Sequence, residues 1–149
     1  MEDLRTDLID MARKRASIQK RGHQWEKMSD RELLKFSELY QRNSSSGDEG
    51  FTLAAVLLFG KDETIAATVP AYRIDMLKRV YDAQRYDDRL DIRTNLIDAF
   101  DLAMGFVQKH LPDPFYVART MRISLRDTIF RELIANLLIH KEYLMSEVR

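Results

Sequence analysis

The chain contains no cysteine, which excludes disulfides and thiolate metal sites within it and fits a reducing compartment. Glycine is scarce and scattered. Its five copies, Gly22, Gly47, Gly50, Gly60 and Gly105, form no GxGxxG, P-loop or GxG, so no glycine-rich loop can cradle a phosphate. No serine stands in a GxSxG setting, which removes that class of nucleophile. Net charge is also missing: Lys+Arg and Asp+Glu are both 24, so no global field draws the chain to nucleic acid or to an anionic membrane. No apolar run approaches the roughly 18–20 residues needed to span a bilayer. The opening MEDLRTDLID is too acidic for the front of a signal peptide. These absences together lead to the expectation of a soluble, cytoplasmic protein without a membrane partner.

What is present suffices for a hydrophobic core. With 45% apolar residues among 149, the chain reads as a single domain over 1–149, with a helical subregion at 1–60 and a strand–helix–strand–helix subregion at 61–149. Residues 2 to about 20 have Leu4, Leu8, Met11 and Ile18 near helical spacing. Their acids come first (Glu2, Asp3, Asp7, Asp10) and their bases last (Arg13, Lys14, Arg15, Lys20, Arg21), an order that suits the helix dipole. The basic cluster is short and has no interleaved aromatic, which favours a solvated helix end over a phosphate contact. Gly22 closes this helix, and Trp25, the only tryptophan, reads as a buried anchor. Ser29 and Glu32 form a capping-box signature, and Leu33, Leu34, Phe36, Leu39 and Tyr40 carry an apolar helical face to about Gln41. NSSSGDEG, 43–50, is a loop by composition. Thr52 then caps LAAVLLFG, a short buried helix closed by Gly60; its adjacent alanines favour helix over the rival buried strand. A helix-turn-helix reader is disfavoured, because the loop is too long and the second helix has no polar face to offer base edges.

Past Pro70, Tyr72, Ile74 and Met76 alternate with Arg73, Asp75 and Leu77, which predicts a half-buried strand over 72–80. RYDDR, 85–89, reads as a charged loop in which Asp87 and Asp88 pair with Arg85 and Arg89 in preference to a metal. Ile92, Leu96, Phe100, Ala103, Phe106 and Val107 make one face of an amphipathic helix from about Asp91 to His110. His110 and His23 lack a second ligand at i+3 or i+4, so each is expected to meet helix C-terminal carbonyls or solvent. LPDP ends the helix by removing backbone donors, FYVARTMRI (115–123) alternates as a second strand, and Ser124 caps the next helix. The expected fold is α+β and predominantly helical: about five helices with a small antiparallel sheet, in which 72–80 pairs with 115–121 and the helices at 91–110 and 124–143 pack against it.

The stretch Ser124–Tyr143 holds the one constellation with catalytic chemistry. Glu132, Asn136 and His140 recur at i, i+4 and i+8, which on a helix is one narrow stripe. Leu125, Ile129, Leu133, Ile139 and Tyr143 surround the stripe on the wheel, whereas Asp127, Thr128, Arg131 and Glu142 gather elsewhere as the expected solvent face. Polar groups set among apolar neighbours are expected to be hydrogen-bonded, ligand-bound or covered. The types suit nucleotide chemistry: a carboxylate as base, an amide oxygen as a Mg²⁺ ligand, and an imidazole. A bland alternative is a satisfied network in which the three side chains bond one another or nearby backbone.

The E-x-x-x-N spacing of Glu132 and Asn136 resembles the N-box of GHKL-type ATPases, in which the Glu polarises the attacking water and the Asn holds the metal on the phosphates. The longer strings RISLRDTIFRELIANLLIHKEY, FTLAAVLLFGKDE, VPAYRIDML, RYDDRLDIRTNLID and VQKHLPDPFYV resemble bacterial putative transcriptional regulators with a Schlafen-type, Alba-like DNA-binding domain, also described as ATP-dependent DNA helicase RecG-related. The resemblance covers nearly the whole chain. It implies an internal or C-terminal segment of a longer protein, ending at the GHKL-like box. DNA would be bound through regions outside the segment, and the other partners would be neighbouring domains; separately, a C-terminal helix apolar all round could make the segment associate as a homo-oligomer. In the longer protein the resemblance makes Glu132 a catalytic base, Asn136 and His140 cofactor contacts, and Asn136 the metal ligand, with ATP and Mg²⁺ as cofactors. Leu137 follows Asn136 where a small residue is usual, and His140 stands where a lysine often does. Because the glycine-bearing nucleotide boxes are not in this chain, the segment itself is expected to hold no cofactor and to act as a non-catalytic scaffold, the alternative being one part of an ATP-binding module.

Overall fold

A computed structural model of the chain describes residues 1–44, 47–80, 84–114, 117–118 and 121–143. Four of its six α-helices start at a side chain that accepts a backbone N–H left over by the helix geometry. At Ser29 the box is reciprocal: the hydroxyl accepts from Glu32 N, and the Glu32 carboxylate accepts from Ser29 N at 2.8 Å. Thr52, Asn95 and Ser124 cap the helices that follow them by accepting from Ala55, Asp98 and Asp127 N. Three two-stranded antiparallel sheets complete the described architecture, so the chain is α+β and predominantly helical, with six α-helices where about five were expected. It divides into two compact units, Met1–Pro70 and Ala71–Arg149. The expected subregion boundary after residue 60 therefore falls inside the first unit.

In the first unit α1 spans Thr6–Gln19, α2 Asp30–Phe36, β1 Tyr40–Arg42, β2 Glu49–Phe51, α3 Leu53–Phe59 and α4 Asp62–Thr68. Leu8 and Ile9 of α1, Leu33 and Leu34 of α2, Val56 and Phe59 of α3 and Ile65 of α4 are buried and form its core. The N-terminal residues are tied to the α3–α4 link by Arg5 N donating to Phe59 O and Lys61 N donating to Asp3 O, with Leu4 bridged to Gly60. That link requires glycine: a Cβ at Gly60 would lie 2.3 Å from Val56 O and 3.0 Å from Ile65 Cγ1. No element was expected over 62–68, where Asp62 and Glu63 in the first turn suit the dipole of α4.

Two expectations for this unit are corrected. The helix from Ser29 stops at Phe36 rather than near Gln41, because Glu38 turns into the left-handed region (φ 58°) and Leu39 N donates back to Leu34 O. The chain then pairs as a hairpin, Tyr40 opposite Phe51 with their rings edge-on at 5.2 Å. A β-hairpin thus stands between α2 and α3, where a helix-turn-helix reader has a short turn. Trp25 is only half-buried, in a 3-10 turn at Gln24–Lys27, with its ring edge-on to His23 at 5.0 Å.

In the second unit β3 spans Ile74–Lys78, β4 Asp88–Ile92, α5 Leu96–His110, β5 Val117–Ala118, β6 Met121–Arg122 and α6 Leu125–His140. Ile74 and Ile92 face each other across the β3–β4 pair and are buried with Ala99, Ala103, Met104 and Val107 of α5 and Ile134 and Leu138 of α6. Tyr72 is buried as well, and its hydroxyl donates to Thr94 O at 2.9 Å. The expected pairing of 72–80 with 115–121 is not what forms. β3 pairs with Asp88–Ile92, where Asp88 and Arg89 were read as charged loop and Asp91 and Ile92 as the start of the following helix, which begins only at Leu96 after its Asn95 cap; β5 pairs with β6 as a separate hairpin. Residues 115, 116, 119 and 120 of the expected second strand lie outside the described residues. β4 is stabilised by alternation, Leu90 and Ile92 inward against Arg89 and Asp91 outward, and by the Arg89 guanidinium donating twice, at 2.8 Å each, to Asp75 across the pair.

Candidate functional site

The stripe expected on α6 is there, but its setting is different. Glu132, Asn136 and His140 are all exposed, as are the apolar residues around them: Leu125 (42%), Ile129 (54%), Leu133 (54%), Leu137 (56%) and Ile139 (72%). α6 buries the opposite side, through Ile134 and Leu138. The side expected inside is thus outside, while Thr128, Arg131 and Glu142 of the expected solvent face are exposed as expected. The reason lies in the wheel: apolar residues fall on every side of α6, so periodicity cannot choose a face, and packing against α5 selects Ile134 and Leu138. Asn136 Nδ2 donates to Glu132 Oε1 at 3.2 Å, an i,i+4 pair that holds the two headgroups together on the surface. Exposure removes the need for a buried partner, and water can satisfy the remaining polar capacity.

The frame beneath this face is fixed at both ends of the helix. Ser124 caps the start, where Arg126 donates to Asp127 and to Leu111 O at 2.8 Å each and holds the Asp127 carboxyl below the usual range. At the finish, Lys141 donates to Arg73 O and lies over the rings of Tyr72 and Tyr143, at 5.7 and 5.9 Å from their centroids. The Tyr143 hydroxyl donates to Leu138 O, and burial pushes its pKa up. Between α6 and β3 runs an apolar groove of about 290 Å³, lined by Ile74, Met76, Leu77, Phe106, Leu133 and Leu137 among others. Leu133 and Leu137 therefore belong to both the groove and the exposed face.

A second polar cluster was missed in the sequence. Asp88 Oδ2 meets Lys109 Nζ and His110 Nε2, each at 2.7 Å, and hydrogen bonds from the Lys109 ammonium and the His110 ring hold its carboxyl down at about 2. The expected pairing of Asp87 and Asp88 with Arg85 and Arg89 is corrected: Arg89 pairs with Asp75, and Asp87 accepts from Val80 N at 2.8 Å. The expectation for the histidines is corrected too, since His110 takes a carboxylate and the edge of Phe106, and His23 accepts from Trp25 N. Asp88 and His110 are 22 residues apart, and only recognition of β4 as a strand beside α5 could have joined them. The cluster clamps β4 to the end of α5. Among the described residues no group of three His, Asp or Glu side chains is placed to hold a metal ion.

No helix among the described residues is long and apolar enough to cross a membrane. A family model described as Domain of unknown function (DUF8451) matches residues 1–75 of the 149, from the start of the first unit into β3. No curated protein and no solved structure matches the chain.

Proposed function

The chain belongs to the family described as Domain of unknown function (DUF8451), and from that premise we propose that it is a non-catalytic scaffold and interaction domain of a DNA-binding transcriptional regulator, with the exposed face of α6 as its contact surface. The observation that carries this reading is the simultaneous exposure of Leu125, Ile129, Leu133 and Leu137 on a helix whose other side is already packed. A contiguous apolar ridge at a surface, interleaved with hydrogen-bonding groups, is the composition of an interface core and rim. The adjoining apolar groove extends it. The regulator context rests on the resemblance of the longer strings to RecG-related, Schlafen-type proteins.

The chain's zero net charge supports DNA contact lying mainly outside it. Binding of the full chain to duplex DNA across a salt series tests that part. Weak binding with a shallow salt slope is expected, and tight binding with a steep slope would overturn it.

A second reading is favoured by one contact. Glu132 and Asn136 sit one turn apart, exposed and bonded, as a wall of a GHKL-like ATP·Mg²⁺ site would hold them, with Glu132 as base and Asn136 as metal ligand. Titration with Mg²⁺ and ATP, followed by amide chemical shifts and phosphate release, separates the two. The scaffold reading expects no shift at Glu132 or Asn136 and no hydrolysis; specific shifts with turnover lost in Glu132→Ala would replace it with the second reading.

A further inference from the structure

The polar stripe on α6 is self-complementary when reversed. Asn136 lies at its centre, the acidic Glu132 is one turn before it and the imidazole of His140 one turn after it, all on the exposed side. Beside this i±4 row runs a second, apolar i±4 row of Leu125, Ile129, Leu133 and Leu137. Helices pack most often by interdigitating such i±4 ridges, at a crossing angle of about −50°. Two α6 helices crossing antiparallel about a two-fold axis near Asn136 therefore bring Glu132 of one chain to His140 of the other, twice, and the two Asn136 amides to each other. The arrangement matches a donor with an acceptor at every level, because an imidazole donates to a carboxylate in either of its protonation states and a carboxamide both donates and accepts. A parallel pairing does the reverse: it would set Glu132 against Glu132.

From this complementarity we infer that the covering partner of the α6 face is a second copy of the chain, joined in an isologous, antiparallel α6–α6 contact. The inference rests on the interaction-domain reading and names its partner. The apolar rows supply the burial, and the Glu132–His140 contacts set register and direction, as charge pairs flanking a helical interface do.

Charge exchange between chains tests it. Glu132→Lys and His140→Glu both alter exposed positions, so each variant is expected to keep the helical circular dichroism of the parent. Sedimentation velocity over a concentration series should show a monomer–dimer equilibrium for the unsubstituted chain and at least about tenfold weaker dimerisation for either variant alone, where like or mismatched charges meet twice. An equimolar mixture of the two variants should recover the dimer, because the introduced lysine then faces the introduced glutamate and the native Glu132 faces the native His140. An unsubstituted chain that stays monomeric throughout, or a mixture that associates no better than its components, overturns the inference. Neither result touches the scaffold reading, which falls on its own measurement, turnover of ATP.

Discussion

Asn95 is buried among the core side chains, 1% exposed, and caps the start of α5. Its Oδ1 accepts from Asp98 N at 2.9 Å and its Nδ2 donates to the Asp98 carboxylate at 2.9 Å. Asn95→Ala removes both contacts. Loss of the cap costs about 1 kcal/mol. That cost already includes the Asp98 N–H left without its acceptor, and loss of the Nδ2–carboxylate bond adds about 0.5–1.5 kcal/mol, for a total loss of about 1.5–2.5 kcal/mol. Asn95→Ser keeps a capping oxygen and should lose about half as much. Urea unfolding followed by circular dichroism measures the change, and amide exchange at Asp98 and Ala99 localises it to the first turn of α5. A loss below about 0.5 kcal/mol for Asn95→Ala, with unaltered exchange at those amides, would refute the reasoning, because a surface substitution does no more.

Two further outcomes follow from burial and charge. Leu34 is fully buried and Phe36, two residues on, is 57% exposed, so Leu34→Ala should cost about 2–5 kcal/mol and Phe36→Ala under about 1 kcal/mol in the same urea assay; equal losses would mean that α2 continues as the sequence pattern suggests. The Asp88 carboxyl, held at about 2 against an ordinary 3.8, contributes stability that is complete above 3.8 and is lost as the pH falls through about 2. Asp88→Asn should therefore make the acid limb of the stability–pH curve shallower in that window, and an unchanged limb would show that Lys109 and His110 do not hold the carboxylate in solution.

Local chemistry was legible in the sequence and pairing was not. Ser29, Thr52 and Ser124 announced their helices because a cap is a contact between residues three apart, written in one place. The α+β class was equally readable, as was β3 from its alternation. The partner of β3 was not, since Asp88 and Arg89 read as charged loop and Ile92, in helical register with Leu96, was drawn into the next helix; the alternation of Leu90 and Ile92 was the available signal. The end of α2 was missed for a similar reason: Phe36, Leu39 and Tyr40 sit at helical spacing, and only pairing of Tyr40–Arg42 with Glu49–Phe51, a non-local event, overrides it. At the site, the spacing of Glu132, Asn136 and His140 was fully visible. Its orientation was not, because a helix apolar nearly all round leaves the choice of buried face to the neighbouring α5.

The absence of native cysteine makes one measurement direct. A single Asn136→Cys substitution puts the only thiol of the chain at the centre of the α6 face. If two copies meet there antiparallel, the two thiols lie across the two-fold axis within disulfide reach, and mild oxidation of the full chain should give a dimer band in non-reducing electrophoresis. Asp101→Cys, exposed on α5, should stay monomeric under the same oxidation. Rapid, near-complete cross-linking at position 136 alone is the result the α6 interface predicts; equal cross-linking at both positions, or none at position 136, contradicts it.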